Sequence, residues 1–458
     1  MSNVLDLIDQ SAFRGERATG ATNLLQCVWV YNRAIDIDGL RQFHRDLQRG
    51  RLSRRIERSP LPFGRHRWVS PSDQSDLEIV ATPRPREEFE AWLSDQANTP
   101  VDAEQGPGWH LALLPFTDGG AGVSFVVSHT LIDGVGLCEA LADAASGRHD
   151  PINWPAPGSR RRRQGLREDA RQTTRDIPAM GRAVAAAARF ARRNGGRDGS
   201  GTQLPSAPRS PFVGPDQRVA LPKATIFVDA DEWDDRAYSL GGTSNALLAG
   251  LAARLAQRVG RVAGDGLATL AIPVNERADD DTRANAITAV NIMADPAAAT
   301  TDLREIRAAI KQALIRRQEV PDERLALLPL APLLPQWLIR RMASVALGGA
   351  TTSGSSNLGA VNTGANRPDG TDADYFALRS LFAGATEATI HHTGGLLGLL
   401  SGRVHGQVFV SVVAYQPGRP NSNDGLQQHI SSVLSDFSLT ATIGWPCPEP
   451  VSGAGRRS

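Results

Sequence analysis

The sequence predicts an α/β protein of two lobes. Three observations carry this. Segments that read as strands and helices interleave along both halves of the 458-residue chain. A stretch rich in Arg and Pro separates the halves. With 41% hydrophobic and 22% charged residues, the chain is composed like an ordinary globular protein, which excludes a disordered or collagen-like one. The expected division is a first lobe over 1–155, a connector over 156–215, a second lobe over 216–445 and a flexible tail over 446–458.

In the first lobe, 24–31 (LLQCVWVY) reads as a buried strand. Residues 36–40 (DIDGL) turn into a helix to about 49, with Leu40, Phe43 and Leu47 on one face. A second helix is expected over 86–96, with Phe89 and Trp92 inward. Strands at 109–115 and 122–127 flank a hairpin-like turn, TDGGAG. A short helix is expected at 137–145. The connector holds 12 Arg against four acids between 160 and 199, and 177–193 could form a basic amphipathic helix within it. The second lobe opens with a strand at 224–228. A helix at 243–258 follows, capped by Thr243 or Ser244. Strands are expected at 268–274, 358–363, 386–391 and 407–414, and helices at 301–317 and 424–437.

Net charge is +1, so there is no global electrostatic case for nucleic acid. Lys223 and Lys311 are the only lysines among 50 basic residues. Cys27, Cys138 and Cys447 are far apart and form no C-x-x-C pair, so neither a disulfide framework nor a zinc site is indicated. The N-terminus lacks the pattern of a signal peptide. The longest apolar run, 325–338, is broken by three prolines and falls short of the roughly 20 residues that span a bilayer. A cytoplasmic protein is expected, with the inner membrane face as a candidate contact for the Arg-rich connector.

The chemistry-bearing segment is 125–137, FVVSHTLIDGVGL. A strand ends at Ser128 and projects His129 from a rigid base. Asp133 follows at four residues, able to support the loop by hydrogen bonds or an Arg partner. Gly134 and Gly136 allow a tight return without a Cβ. An imidazole is the natural general base near neutral pH. The doublet His391-His392 looks similar, but Leu396 stands where the Asp would be, and it reads as structural. No G-x-S-x-G elbow, phosphate loop or metal-ligand spacing is present.

The segment resembles the His-His-x-x-x-Asp-Gly signature of the CoA-dependent acyltransferase superfamily. Other segments align in order with its bacterial wax ester synthase/diacylglycerol acyltransferase branch. They are Pro107-Gly108-Trp109, the helix start at 241–251, IPVNER at 272–277 with Asn285, and Ser356-Asn357-Leu358-Gly359. The resemblance spans about residues 5 to 440. There are departures: Ser128 replaces the first His, Ala246 stands where many lipid-synthesising members have Asp, and the Ser-Asn segment lacks a Pro. That segment looks closer to condensation-like enzymes.

The resemblance implies two chloramphenicol acetyltransferase-like lobes forming a pseudo-dimer around an inter-lobe tunnel. It implies His129 as general base and Asp133 as a loop-shaping residue paired with Arg277. Ser128, Asn285, Ser356 and Asn357 become candidate substrate or oxyanion contacts. No bound cofactor or metal is expected. Acyl-CoA, or an acyl carrier thioester, would be the co-substrate, with a hydrophobic alcohol as acceptor. The alternatives are a stand-alone condensation-like enzyme, with a carrier-protein donor and a specialised-metabolite hydroxyl or amine acceptor, and a catalytically inactive scaffold. The Arg160–Arg163 run could serve an anionic membrane, CoA phosphates or an acidic carrier protein, or be a solvated connector.

Overall fold

The computed structural model describes residues 3–71, 75–148, 152–195, 216–278, 281–320, 325–340 and 351–446. The first lobe contains α1 (Leu7–Thr19), β1 (Thr22–Tyr31), α2 (Ile37–Leu47), β2 (Arg55–Glu57), β3 (Arg67–Val69), β4 (Leu77–Ile79), α3 (Phe89–Ala97), β5 (Trp109–Pro115), β6 (Ala121–Ser128) and α4 (Gly134–Ala145). β1 reads as an unbroken apolar run because both its faces are covered. Cys27, Trp29 and Tyr31 join the core that holds α2 and α4, whereas Val28 and Val30 pack with Phe89 and Trp92 of α3. Asp36 caps α2 by accepting from the amides of Asp38 and Gly39.

α5 (Arg162–Gly195) leads towards the second lobe. There follow β7 (Lys223–Asp229), α6 (Ala230–Ser239), α7 (Ser244–Arg258), β8 (Ala268–Asn275), β9 (Ile287–Ala294), α8 (Arg304–Glu319), β10 (Ser353–Ala360), β11 (Tyr375–Ala383), α9 (Glu387–Thr393), β12 (Leu396–Val404), β13 (Gln407–Tyr415), α10 (Asn423–Asp436) and β14 (Thr442–Ile443). A seven-stranded sheet runs β14-β7-β13-β12-β10-β8-β9. α7 is buried along nearly its whole length against this sheet, with Thr243 accepting from the Ala246 amide as its cap.

The two lobes do not separate where the chain does. The first sheet runs β11-β1-β6-β5-β4, so a strand from the second half is its edge. β11 lies antiparallel to β1, from Thr22↔Ala383 to Val30↔Tyr375. Sequence periodicity gave no strand there. The expected strand at 386–391 is instead the helix α9, because Thr386 caps the Thr389 amide and Gly394 closes the far end at φ 75°. The expected strand at 358–363 lies earlier, as β10.

The connector carries the helix expected at 177–193, extended upstream to Arg162. A 34-residue helix fills 162–195. Its Asp169 side chain is 1% exposed and anchors it, accepting from Arg67, Arg160 and Ser59. Few large apolar residues signal this helix, since ion pairs hold it. The 3-10 segment Leu325–Leu333, part of the apolar run at 325–338, packs against α5 and α1. Arg14 fixes it by donating to the carbonyls of Ala331 and Leu334. Residues 196–215 of the connector and 447–458 of the tail lie outside the described residues. Among the described residues, no helix is long and apolar enough to cross a membrane.

Candidate active site

The end of β6 sets the position of His129. Its amide donates to the Asn23 carbonyl at 2.9 Å, so the residue stays tied to β1. The imidazole is half-buried and takes no hydrogen bond among the described residues. Directly before it, Ser128 is fully buried, with its hydroxyl 2.6 Å from that of Thr130. Ser128 therefore closes the turn and is not exposed to a ligand, contrary to its expected role as a substrate contact. Leu131 and Ile132 are buried and anchor the loop.

Asp133 ends the loop as the N-cap of α4, accepting from the Gly136 amide at 2.8 Å. Its other oxygen accepts from Arg277 at 2.6 Å and from the Ala286 amide at 2.8 Å. The ion pair is deeply buried, the side chains of Asp133 and Arg277 being 1% and 4% exposed. Arg277 and Ala286 bracket the β8–β9 loop of the second lobe, so this pair fastens one lobe to the other. Gly136 matters by close approach. A Cβ there would stand 2.9 Å from the Arg277 guanidinium carbon. Gly134 and Gly136 occupy the first turn of α4 with negative φ, not the tight return expected.

Asn285 lies on the same loop. Its side-chain amide donates to the His129 carbonyl at 3.2 Å and to Asp9 at 3.3 Å. It therefore holds the backbone of His129, and it is only 5% exposed. Asp9, on α1, was missed from sequence. Its carboxylate also accepts from the amides of Ala284 and Asn285, at 2.9 and 2.8 Å. Burial pushes this carboxyl up to about 6, against the lowering effect of those bonds and of Arg54. Arg54, also missed, donates to the carbonyls of Thr282 and Leu131 at 2.6 Å and lies 4.2 Å over the Trp68 ring. Its own pKa is lowered to about 10 by burial. The available signal was an acid on the apolar face of a helix, Asp9 standing four residues before buried Phe13 in α1.

The Ser356-Asn357 segment lies in β10. The Asn357 amide is 3.4 Å from the Ser244 hydroxyl at the start of α7, and its carbonyl accepts from Gly359. Ser356 is half-buried, with no side-chain hydrogen bond among the described residues. Neither residue bonds to the 128–134 loop, whereas Leu358 abuts Gly134 at the start of α4. Among the described residues, no group of three His, Cys, Asp or Glu is placed to hold a metal.

Comparison with known proteins gives the fold a class. No family model and no curated protein matches the sequence. Solved structures do match. The first condensation domain of the calcium-dependent antibiotic synthetase is 15% identical, with TM-score 0.56, covering 96% of each chain. A variant of the starter condensation domain of rhizomide synthetase, in complex with C8-CoA, is 14% identical with TM-score 0.52, covering 96% of this chain and 95% of that one. The nonribosomal peptide synthetase FmoA3 is 15% identical with TM-score 0.53, covering 95% of this chain, which spans only 42% of that one. The chain thus has the two-lobed, pseudo-dimeric fold of condensation domains. The expected closeness to wax ester synthases finds no support in these likenesses.

Proposed function

We propose that the protein is an acyltransferase that moves an acyl group from a thioester to a hydroxyl or amine, with His129 as general base. One observation carries this reading. Among the described residues, His129 alone in its loop keeps a half-buried side chain without a hydrogen bond, while its backbone and both flanks are fixed by Asn23, Asn285 and the Asp133–Arg277 pair. A fold that immobilises a histidine and leaves its ring free suits proton transfer.

The reaction needs no acyl-enzyme. A ring nitrogen of His129 takes the proton as the acceptor oxygen or nitrogen bonds to the thioester carbonyl carbon. Collapse of the tetrahedral adduct breaks the C–S bond, and the proton passes to the departing sulfur. An ester or amide and a free thiol result. Acyl-CoA is the proposed donor and an alcohol the proposed acceptor, with no resident cofactor. A carrier-protein thioester fits equally well, because the neighbouring structures come from nonribosomal peptide synthetases.

The test is thiol release from a panel of acyl-CoAs, and in parallel from acylated carrier protein, with mixed alcohols and amines. His129→Ala should lower acceptor-dependent release by about 10²- to 10⁴-fold. Its melting temperature should hold, since the ring makes no hydrogen bond among the described residues. Turnover that survives the substitution would refute the base assignment. Failure of every donor would refute the acyltransferase reading.

A further inference from the structure

A cavity of about 390 Å³ opens between the lobes, at the end of β11 where Phe382 pairs with Asn23. The end of α3, the end of β11, the entry to β7 and the start of α10 form its walls. Lys223, the first residue of β7, lines it. Alternation along β7 turns Ala224, Ile226 and Val228 into the second-lobe core. Lys223, Thr225 and Phe227 then face the first lobe. Thr225 accepts from Arg379 of β11 at 3.0 Å, and Phe227 meets the Tyr375 ring at 5.3 Å.

The charges on this face do not balance. Arg379 grips both oxygens of Glu90, at 3.0 and 2.6 Å, and Trp445 donates to the same carboxylate at 3.1 Å. Lys223 has no salt bridge among the described residues, and Glu90 is the acid that acts on it, at longer range. Two cations thus share one carboxylate. Arg218, also lining the cavity, adds a third cation at the exposed rim, without a salt bridge among the described residues. An uncompensated charge beside a partly desolvated cavity is unfavourable until an anion joins it. In agreement, burial lowers the Lys223 pKa, and nearby Arg379 lowers it further. Around the cations, Asn98, Asn421 and Ser422 supply neutral polar groups, and Leu221 and Leu381 an apolar wall.

We infer that this cavity binds a small organic oxyanion, a carboxylate or phosphate ester with a short apolar body, through Lys223 and Arg218. The proposal stands independently of the acyltransferase reading.

The test is titration calorimetry on the full chain with octanoate, octyl phosphate and neutral octanol. One or both anions should bind, and which one does distinguishes a carboxylate from a phosphate ligand. Octanol should bind at least tenfold more weakly. Lys223→Gln should weaken the anion at least tenfold, and Arg218→Gln, at an exposed position, severalfold. Circular dichroism checks that both variants fold. If Lys223→Gln does not fold, Arg218→Gln and the loss of affinity at high salt carry the test. Absence of binding by both anions, equal binding of octanol, or affinity unchanged in the folded variants would overturn the proposal.

Discussion

Replacing Asp133 with Ala removes three accepted hydrogen bonds and leaves Arg277, at 4% exposure, without its ion-pair partner, held only by the carbonyls of Asp281, Arg283 and Ala284. Stranding one partner of a buried ion pair costs about 3–5 kcal/mol. Loss of the α4 cap adds about 1 kcal/mol. The expected loss is therefore about 4–6 kcal/mol, a large share of the roughly 5–15 kcal/mol that holds a typical domain together. The variant should melt about 4–6 °C lower if the 458 residues unfold as one unit, and lower still, if it folds at all, where the lobes come apart separately. A double-mutant cycle tests the cause. Arg277→Met removes the stranded charge, so the Asp133→Ala/Arg277→Met protein should lose less than the sum of the single variants, by about 2–3 kcal/mol. Urea unfolding followed by tryptophan fluorescence measures all four proteins. Additivity within about 0.5 kcal/mol would refute the argument that the pair acts as a unit.

Three further outcomes are expected. Gly136→Ala pushes a methyl group against the Arg277 guanidinium and should cost about 1–3 kcal/mol in the same unfolding assay; unchanged stability would show that the contact yields freely. Asn285→Ala frees the His129 carbonyl, so kcat for thiol release should fall roughly tenfold to a hundredfold with a smaller change in KM; a loss confined to KM would make Asn285 a substrate contact instead. Asp9 has a folded pKa raised to about 6 above its ordinary 3.8, so the folded state keeps a proton that the unfolded chain releases. As pH climbs from about 4 to about 6, wild type should therefore lose about 3 kcal/mol of stability relative to Asp9→Asn, and the difference should be flat above 7; a constant difference from pH 4 to 7 would contradict the raised pKa.

Local chemistry was legible in several runs of consecutive residues, although α1, β9 and β12 were not read. The 24–31 run, the α2 face and the Thr243 cap all depend on neighbours within one element, and each lies close to where periodicity placed it. The loop carrying His129 and Asp133 was legible for the same reason. β11 was not, because its place at the edge of the first sheet depends on pairing with β1 over more than 340 positions of chain. The 177–193 part of α5 was legible, but its first half was hidden because charged residues pair around Asp169 where apolar ones would have given a period. Residues 386–391 misled because a capping Thr and a left-handed Gly outweighed strand-like composition over so short a run.

The sequence by itself determined the α/β alternation, the histidine at a strand end and the acid four residues beyond it, since each is a statement about near neighbours. Only the tertiary structure decided what surrounds them. It buried Ser128 out of reach and turned Asn285 into a strut beneath the His129 carbonyl. It also brought Asp9 and Arg54 from distant helix and loop positions to brace the β8–β9 loop. The physical reason is that the strength of a buried charge or hydrogen bond depends on desolvation and on partners far apart in the chain.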